Sequence, residues 1–337
     1  ASRISAIGYD DTDDVEDTLR RAEDMLFQVR SGQSERGFVP LRQVYDQFLE
    51  DRAAIADPLQ SSAPVMTGFT DLDELLGGLQ SSDLLILGAR PGVGKSTLAL
   101  NISLSAARDG ATVGFFSLEM SREQLALRIL ASDAGVDSHR LRLGLYTEAE
   151  EQRIIDSIGQ LSELPVYIDD TPLQGMVEMR SKSRRLLLEH GLDLLIVDYL
   201  QLVQGSSRGR GGDNRVQEIS EISRSLKGMA RDLNVPIITC SQLSRGVENR
   251  TDHRPLLSDL RDSGSIEQDA DIVMFIYRED DYSTEEEWEQ QHPGRPYPRN
   301  IAEIIVAKHR HGPTGKVTLR FQNNLLRFVS LARAEEF

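Results

Sequence analysis

The sequence predicts an α/β fold, a mostly parallel sheet with helices on both faces and an antiparallel carboxy-terminal hairpin. Three observations predict it. From Asp83 onward, short apolar runs of strand length alternate with amphipathic segments of helix length, the pattern of strand–helix–strand units. One such run, 84–87, leads into a glycine-rich loop that opens a helical segment. Two later runs, 301–307 and 316–321, flank Gly312-Pro313-Thr314-Gly315, a turn sequence that folds the chain back on itself.

Residues 1–64 read as a linker region and 65–337 as the main domain. In the linker Val15, Leu19, Ala22, Leu26 and Val29 recur at alternating four- and three-residue steps. That narrow stripe predicts a helix near 13–30, either docked on one partner surface or packed within its own chain. A second helical pattern starts at Pro40 with Leu41, Val44, Tyr45, Phe48 and Leu49 on one side, and polar breaks fall at 31–37 and 57–64. Beyond them the predicted strands are 84–87, 113–117, 166–168, 194–197, 237–240 and 272–277, with helices such as 96–108 and 216–233 between them.

With 337 residues the chain is long enough for a large core. Its 38 basic and 54 acidic residues give a net charge of -16, which excludes coating of nucleic acid by a bulk positive field and leaves only local contacts. No apolar run approaches the roughly 18 residues of a membrane span, and the amino end lacks a signal-peptide pattern, so a soluble cytoplasmic protein is expected. The lone cysteine, Cys240, lies in an apolar run, which excludes a disulfide framework and predicts a buried, inert thiol.

The strongest chemical signal is the loop Ala89-Arg90-Pro91-Gly92-Val93-Gly94-Lys95-Ser96-Thr97, placed after a strand and before a helix. Small residues let backbone N–H groups turn inward around phosphate oxygens, and the helix amino terminus adds partial positive charge. Lys95 is placed to bridge the outer phosphates of ATP, and the Ser96 hydroxyl to hold Mg2+. Asp198 ends the apolar run 194–197 and is the second candidate for Mg2+. Glu119 follows another strand and either polarises an attacking water or caps the helix that starts near Ser121. Gln242 stands at the same strand edge, to sense the terminal phosphate or to make a structural hydrogen bond.

Lys308 and Arg310, two apart at the end of a hairpin strand, share one side, where they are either solvated or reach a neighbour's phosphates. Two loops could meet nucleic acid: 205–215, with Arg208 and Arg210, and 257–264, with Arg261, Asp262 and Gly264. Neither holds an aromatic residue, so contacts there would be to the phosphate backbone and independent of sequence.

Taken together, the stretches GARPGVGKSTLALNI, FFSLEMSREQL, LLIVDYLQL, SQLSRGVE, LSDLRDSGSIEQDADIVMF and IIVAKHRHGPTGKV resemble the DnaB-type replicative helicases, over roughly residues 67–329. The resemblance implies a RecA-like phosphate-loop ATPase that assembles as a homohexamer, travels five-prime to three-prime on single-stranded DNA and unwinds duplex at the replication fork. It implies that Glu119 is the catalytic glutamate, Asp198 the Mg2+ carboxylate and Gln242 the link to the DNA-binding loops. Lys308 and Arg310 become the pair inserted into the neighbouring subunit's site, with His309 and His311 as departures beside them. Arg261, Asp262 and Gly264 become a loop that follows the single-strand backbone. Primase and a helicase loader are implied as partners, and residues 13–30 resemble the linker helix that docks on the next subunit. The family's amino-terminal domain is expected to be absent. Two other readings remain open: a RecA-family recombinase or branch-migration motor, against which the finger hairpin and SQLSRGVE argue, and a nucleotide-switched loading protein, against which Glu119 argues.

Overall fold

The computed structural model describes residues 40–42, 45–46, 63–204, 213–250 and 252–331. The chain divides into two units, Ala1–Ala63 and Pro64–Phe337. In the first, residues 41, 42, 45 and 46 are helical and Leu41 and Tyr45 are exposed. The expected stripe from Val15 to Val29 lies outside the described residues.

The second unit is built on one sheet, β1 (Leu84–Ala89), β2 (Val113–Ser117), β3 (Val166–Asp169), β4 (Leu194–Asp198), β5 (Ile237–Gln242), β6 (Ile272–Tyr277), β7 (Ile301–His309), β8 (Gly315–Gln322) and β9 (Arg327–Ser330). Their order is β3-β2-β4-β5-β1-β6-β7-β8-β9. Strands from β3 to β6 pair in parallel, and β6 to β9 are antiparallel. The helices are α1 (Thr70–Leu76), α2 (Lys95–Arg108), α3 (Arg122–Ala134), α4 (Ser138–Arg142), α5 (Glu148–Leu161), α6 (Met176–Glu189), α7 (Asp213–Leu233), α8 (Gly264–Asp269) and α9 (Glu285–Gln291).

Why the parallel strands read as unbroken apolar runs is visible in β1. Leu85, Leu87 and Ala89 pack into a core with α2 residues Leu98, Ala99 and Ile102, while Leu84 and Ile86 face a second core with α7 residues Leu226, Met229 and Ala230. A strand covered on both faces has no polar side to show. The hairpin differs: in β7 Ala302, Ile304 and Val306 are buried and the residues between them are half-buried, so its pattern alternates. Strand β9 was not among the expected elements. It has four residues, two of them polar, and is held by Phe328 packed on Phe321 with ring centroids 4.6 Å apart.

Between β2 and β3 the chain forms α3, α4 and α5 around a small satellite core of Ala131, Ala134, Val136, Leu141 and Ile154. Each start has a side-chain cap: Ser121 with Gln124, Asp137, and Thr147 with Glu150. Such caps satisfy N–H groups that have no partner within the helix.

The register sets the site. At the carboxyl ends of the parallel strands Ala89 pairs with Gln242 and Ser117 with Asp198. At the opposite edge Leu85 pairs with Ile272, and Ile272 with His309. Ligands of open α/β sheets bind beyond the carboxyl ends of the strands.

Candidate nucleotide-binding and catalytic site

The loop after β1 forms a cradle because two glycines permit it. Gly92 has φ +85°, and a Cβ there would meet nothing within 4 Å, so the loop is open at that point. Gly94 has φ +116°, and a Cβ would lie 2.9 Å from the Phe328 ring. Val93 and Thr97 are buried and anchor the loop from below. No side chain caps the start of α2, which leaves its first N–H groups for an anion. The Lys95 ammonium lies 4.8 Å from the centre of the Tyr199 ring. Arg90 contributes its backbone to the loop, while its guanidinium donates to the Leu243 carbonyl (2.7 Å) and to Glu248 (2.5 and 2.9 Å).

Asp198 ends β4 fully buried, and apart from a weak interaction with the Cys240 thiol neither carboxylate oxygen has a hydrogen-bond donor among the described residues. A buried charge in that state calls for a cation or ordered water. The nearby Cys240 thiol is pushed well up, first by burial and then by the Asp198 charge, and it also feels Lys95 and Glu119. All three ionic groups thus lie on the side of the sheet near Cys240. Ser96 and Asp198 are hard oxygen donors of the kind that would hold Mg2+ beside a nucleotide's phosphates.

Glu119 is exposed two residues beyond β2 and has no partner among the described residues. It is not the helix cap: that position belongs to Ser121, whose hydroxyl accepts from the Gln124 N–H. Gln242 ends β5 with its side chain exposed. Its backbone is clasped by Gln201, which accepts from the Gln242 N–H (3.3 Å) and donates to the Ser241 hydroxyl (3.0 Å). Gln201 was missed from sequence, where it reads as one more polar residue after a strand.

Lys308 and Arg310 do not join this group. They lie at the opposite edge of the sheet, where Lys308 donates to the carbonyls of Glu267 (2.6 Å) and Ala270 (2.7 Å) at the end of α8. Arg310 donates to Asp271 (3.2 Å), which also accepts from Lys227 (2.5 Å) and the Leu84 N–H (2.8 Å). Burial pushes the Asp271 carboxyl up, and these donors outweigh it, holding it below the usual carboxylate range. Asp83 beside it is raised by burial and by the Asp271 charge. Asp83, Asp271 and His311 bring ligand-type atoms within 4.8 Å of one another, but Lys227 and Arg310 already occupy Asp271.

Of the expected nucleic-acid contacts, Arg208 and Arg210 lie outside the described residues. The backbone of Arg261, Asp262 and Gly264 runs through the turn Leu257–Ser263 into α8, and the side chains of Arg261 and Asp262 are outside what the structure describes.

A phosphate loop at the carboxyl edge of a parallel sheet, faced by a buried carboxylate on β4 and extended by an antiparallel hairpin, defines a RecA-like ATPase. Residues 64–330 match the model of the DnaB-like helicase C terminal domain, and the chain belongs to that family. It is 45% identical over 334 residues to the replicative DNA helicase DnaC of Bacillus subtilis, an alignment covering 99% of this chain and 71% of the relative. Against the replicative DNA helicase DnaB of Geobacillus stearothermophilus it is 42% identical over 334 residues, with the same coverages. A solved DnaB-like replicative helicase, described with its interactions with primase, superposes with TM-score 0.75 at 31% identity, covering 94% of this chain and 72% of that one. A solved ATPase domain gives TM-score 0.77 at 32% identity, covering 88% of this chain and all of that one. The chain is thus an ATP-dependent replicative DNA helicase by family, and the recombinase and loading-protein readings fall away. Among the described residues no helix is long and apolar enough to cross a membrane.

Proposed function

We propose that this chain works as a homohexamer with ATP and Mg2+ between subunits. The observation that carries the reading is the split of the machinery across two sheet edges: Lys95, Ser96, Asp198 and Glu119 at one, Lys308 and Arg310 at the other. A pair at the amino edge cannot reach its own chain's phosphate cradle across a strand of six residues, roughly 20 Å. It can reach a neighbour's.

In this reading the backbone of residues 89–97 and Lys95 bind the phosphates, and Ser96 with Asp198 hold the metal. Bound Mg2+ neutralises charge developing on the transferred phosphoryl group. Glu119 orients the attacking water and accepts its proton. Arg310, with Lys308, adds positive charge from the next subunit, so hydrolysis depends on assembly. Gln242 relays nucleotide state to the segment that follows β5. Arg261, Asp262 and Gly264, with Arg208 and Arg210 on the other loop, follow the phosphate backbone of one DNA strand. The second strand is excluded, and travel is five-prime to three-prime. Residues 1–64 act as a linker whose helix near 13–30 docks on the next subunit. Primase and a loader are partners, as the solved DnaB-like relative's pairing with primase suggests, and the protein acts on the nucleoid in the cytoplasm.

The test is unwinding of a forked DNA by the purified chain, with its mass in solution recorded and Lys95→Ala as control. Unwinding from a five-prime tail by six subunits, lost in the control, supports the reading. DNA-dependent hydrolysis without unwinding by a smaller species sinks it for this chain.

A further inference from the structure

Arg90 sits inside the phosphate loop, yet its guanidinium is committed to the segment after β5. It donates to the Leu243 carbonyl and twice to Glu248, and its side chain is 12% exposed. Glu248 lies on the short turn Arg245–Asn249. Two residues on, Arg250 makes a two-pronged contact with Asp259, at 2.9 and 2.6 Å. The Asp259 carbonyl accepts from the Ser244 N–H (3.0 Å), and its carboxylate from the Leu256 N–H (2.7 Å). A third arginine, Arg254, holds Glu303 on β7 at 2.6 and 3.0 Å. Asp259 is buried within the turn Leu257–Ser263, two residues before Arg261.

Planar guanidinium–carboxylate contacts fix orientation as well as distance. The phosphate loop cannot displace Arg90 without carrying Glu248 with it or breaking both contacts. The turn that holds Glu248 is itself tied through Arg250 to Asp259. Two charged contacts, joined to each other by the backbone of residues 248–250, therefore connect the nucleotide edge to the start of the turn that bears Arg261. It runs beside, and separately from, the Gln201 clasp on Gln242.

We propose that Glu248 is a positioning residue: the contacts Arg90–Glu248 and Arg250–Asp259 carry the state of the phosphate loop to the Leu257–Ser263 turn, so nucleotide and single-stranded DNA alter each other's binding through them. The proposal rests on the reading of Arg261, Asp262 and Gly264 as DNA contacts.

Glu248→Gln keeps the shape and one acceptor oxygen and removes the charge. The full chain is assayed with ATP and Mg2+, with and without an oligothymidine strand. ATP turnover without DNA stays at the wild-type level, while stimulation by DNA falls about fivefold or more, the lower range of site-to-site couplings. The gain in oligothymidine affinity caused by a non-hydrolysable ATP analogue falls as well, and by linkage the gain in analogue affinity caused by oligothymidine falls by the same factor as that gain. Glu248→Asp restores part of the stimulation. Unchanged stimulation overturns the proposal, and so does an equal loss of turnover with and without DNA accompanied by a lower melting temperature. Arg261→Ala separates the two readings. If it leaves DNA affinity intact while Glu248→Gln uncouples, the relay stands and the DNA contact lies elsewhere. If it weakens DNA binding while Glu248→Gln keeps full stimulation, the DNA-contact reading stands and the relay is wrong.

Discussion

Asp198→Asn should stabilise the resting protein and weaken its response to nucleotide, two effects of opposite sign from one substitution. Both Asp198 oxygens are buried, with only the weak Cys240 thiol as a donor among the described residues and the Lys95 charge on the same side of the sheet. A poorly compensated buried charge still costs several kcal/mol after relaxation. A buried neutral amide short of partners costs about 1–3 kcal/mol. The difference favours the variant by about 1–3 kcal/mol in nucleotide-free protein kept in EDTA. For a domain of this size each kcal/mol moves the melting midpoint by about 2–4 °C, so the variant should melt about 2–12 °C higher. With ATP and Mg2+ at about 100 times the dissociation constant, wild type gains about 2.7 kcal/mol and the variant much less. Scanning calorimetry of both proteins in the two buffers measures all four midpoints. A variant that melts below wild type in EDTA means that the carboxylate has a stabilising partner in the resting protein. Equal magnesium-dependent shifts in both proteins mean that Asp198 does not serve the metal.

Other expectations follow from the same geometry. Glu119→Gln, at an exposed position outside the cap of α3, should leave ATP binding intact and lower turnover by about 10²–10⁴-fold, read by equilibrium binding beside steady-state hydrolysis. Arg310→Ala and Lys95→Ala chains, each inactive alone, should recover part of the ATPase when mixed, because a mixed pair holds one intact site; no recovery at any ratio argues against a finger acting between chains. Glu150, which caps α5, has its carboxyl pulled down to about 2, by the Thr147 N–H first and then by Arg140. Its folded value lies below the ordinary 4.5, so its contribution is present above pH 4.5 and fades as pH falls toward 2. Glu150→Gln should flatten acid unfolding across that window, followed by circular dichroism.

What could be read from the sequence is what local chemistry dictates. The strand, loop, Lys95 and Ser96 follow one another along the chain, and only small residues and a helix start suit a phosphate there. The central strands were legible because both their faces are covered. Strand β9 was not, since Arg327 and Ser330 leave only Phe328 and Val329 as signal. The Arg90–Glu248 contact joins residues 158 apart, and nothing in either neighbourhood announces the other. Arg90 reads from sequence as one more member of the phosphate loop, whereas its side chain serves the segment after β5. Lys308 reads as a projecting cation, but in the fold its ammonium closes the end of α8, where carbonyls lack partners within the helix.

That last contact changes what a finger must do. In the proposed hexamer Lys308 would give up two carbonyl contacts, and Arg310 its hold on Asp271, before either reached another chain's phosphates. Asp271 need not be left as an unpaired charge, because Lys227 and the Leu84 N–H stay on it. Releasing Arg310 would therefore be cheaper than releasing Lys308, whose departure uncovers the carboxyl end of α8, the helix that follows the turn bearing Arg261. On this argument Arg310 is the more mobile member of the pair. If the proposed finger and DNA contacts hold, Lys308 links the finger to the turn that bears Arg261, so Lys308→Ala should disturb DNA stimulation even in chains that keep Arg310.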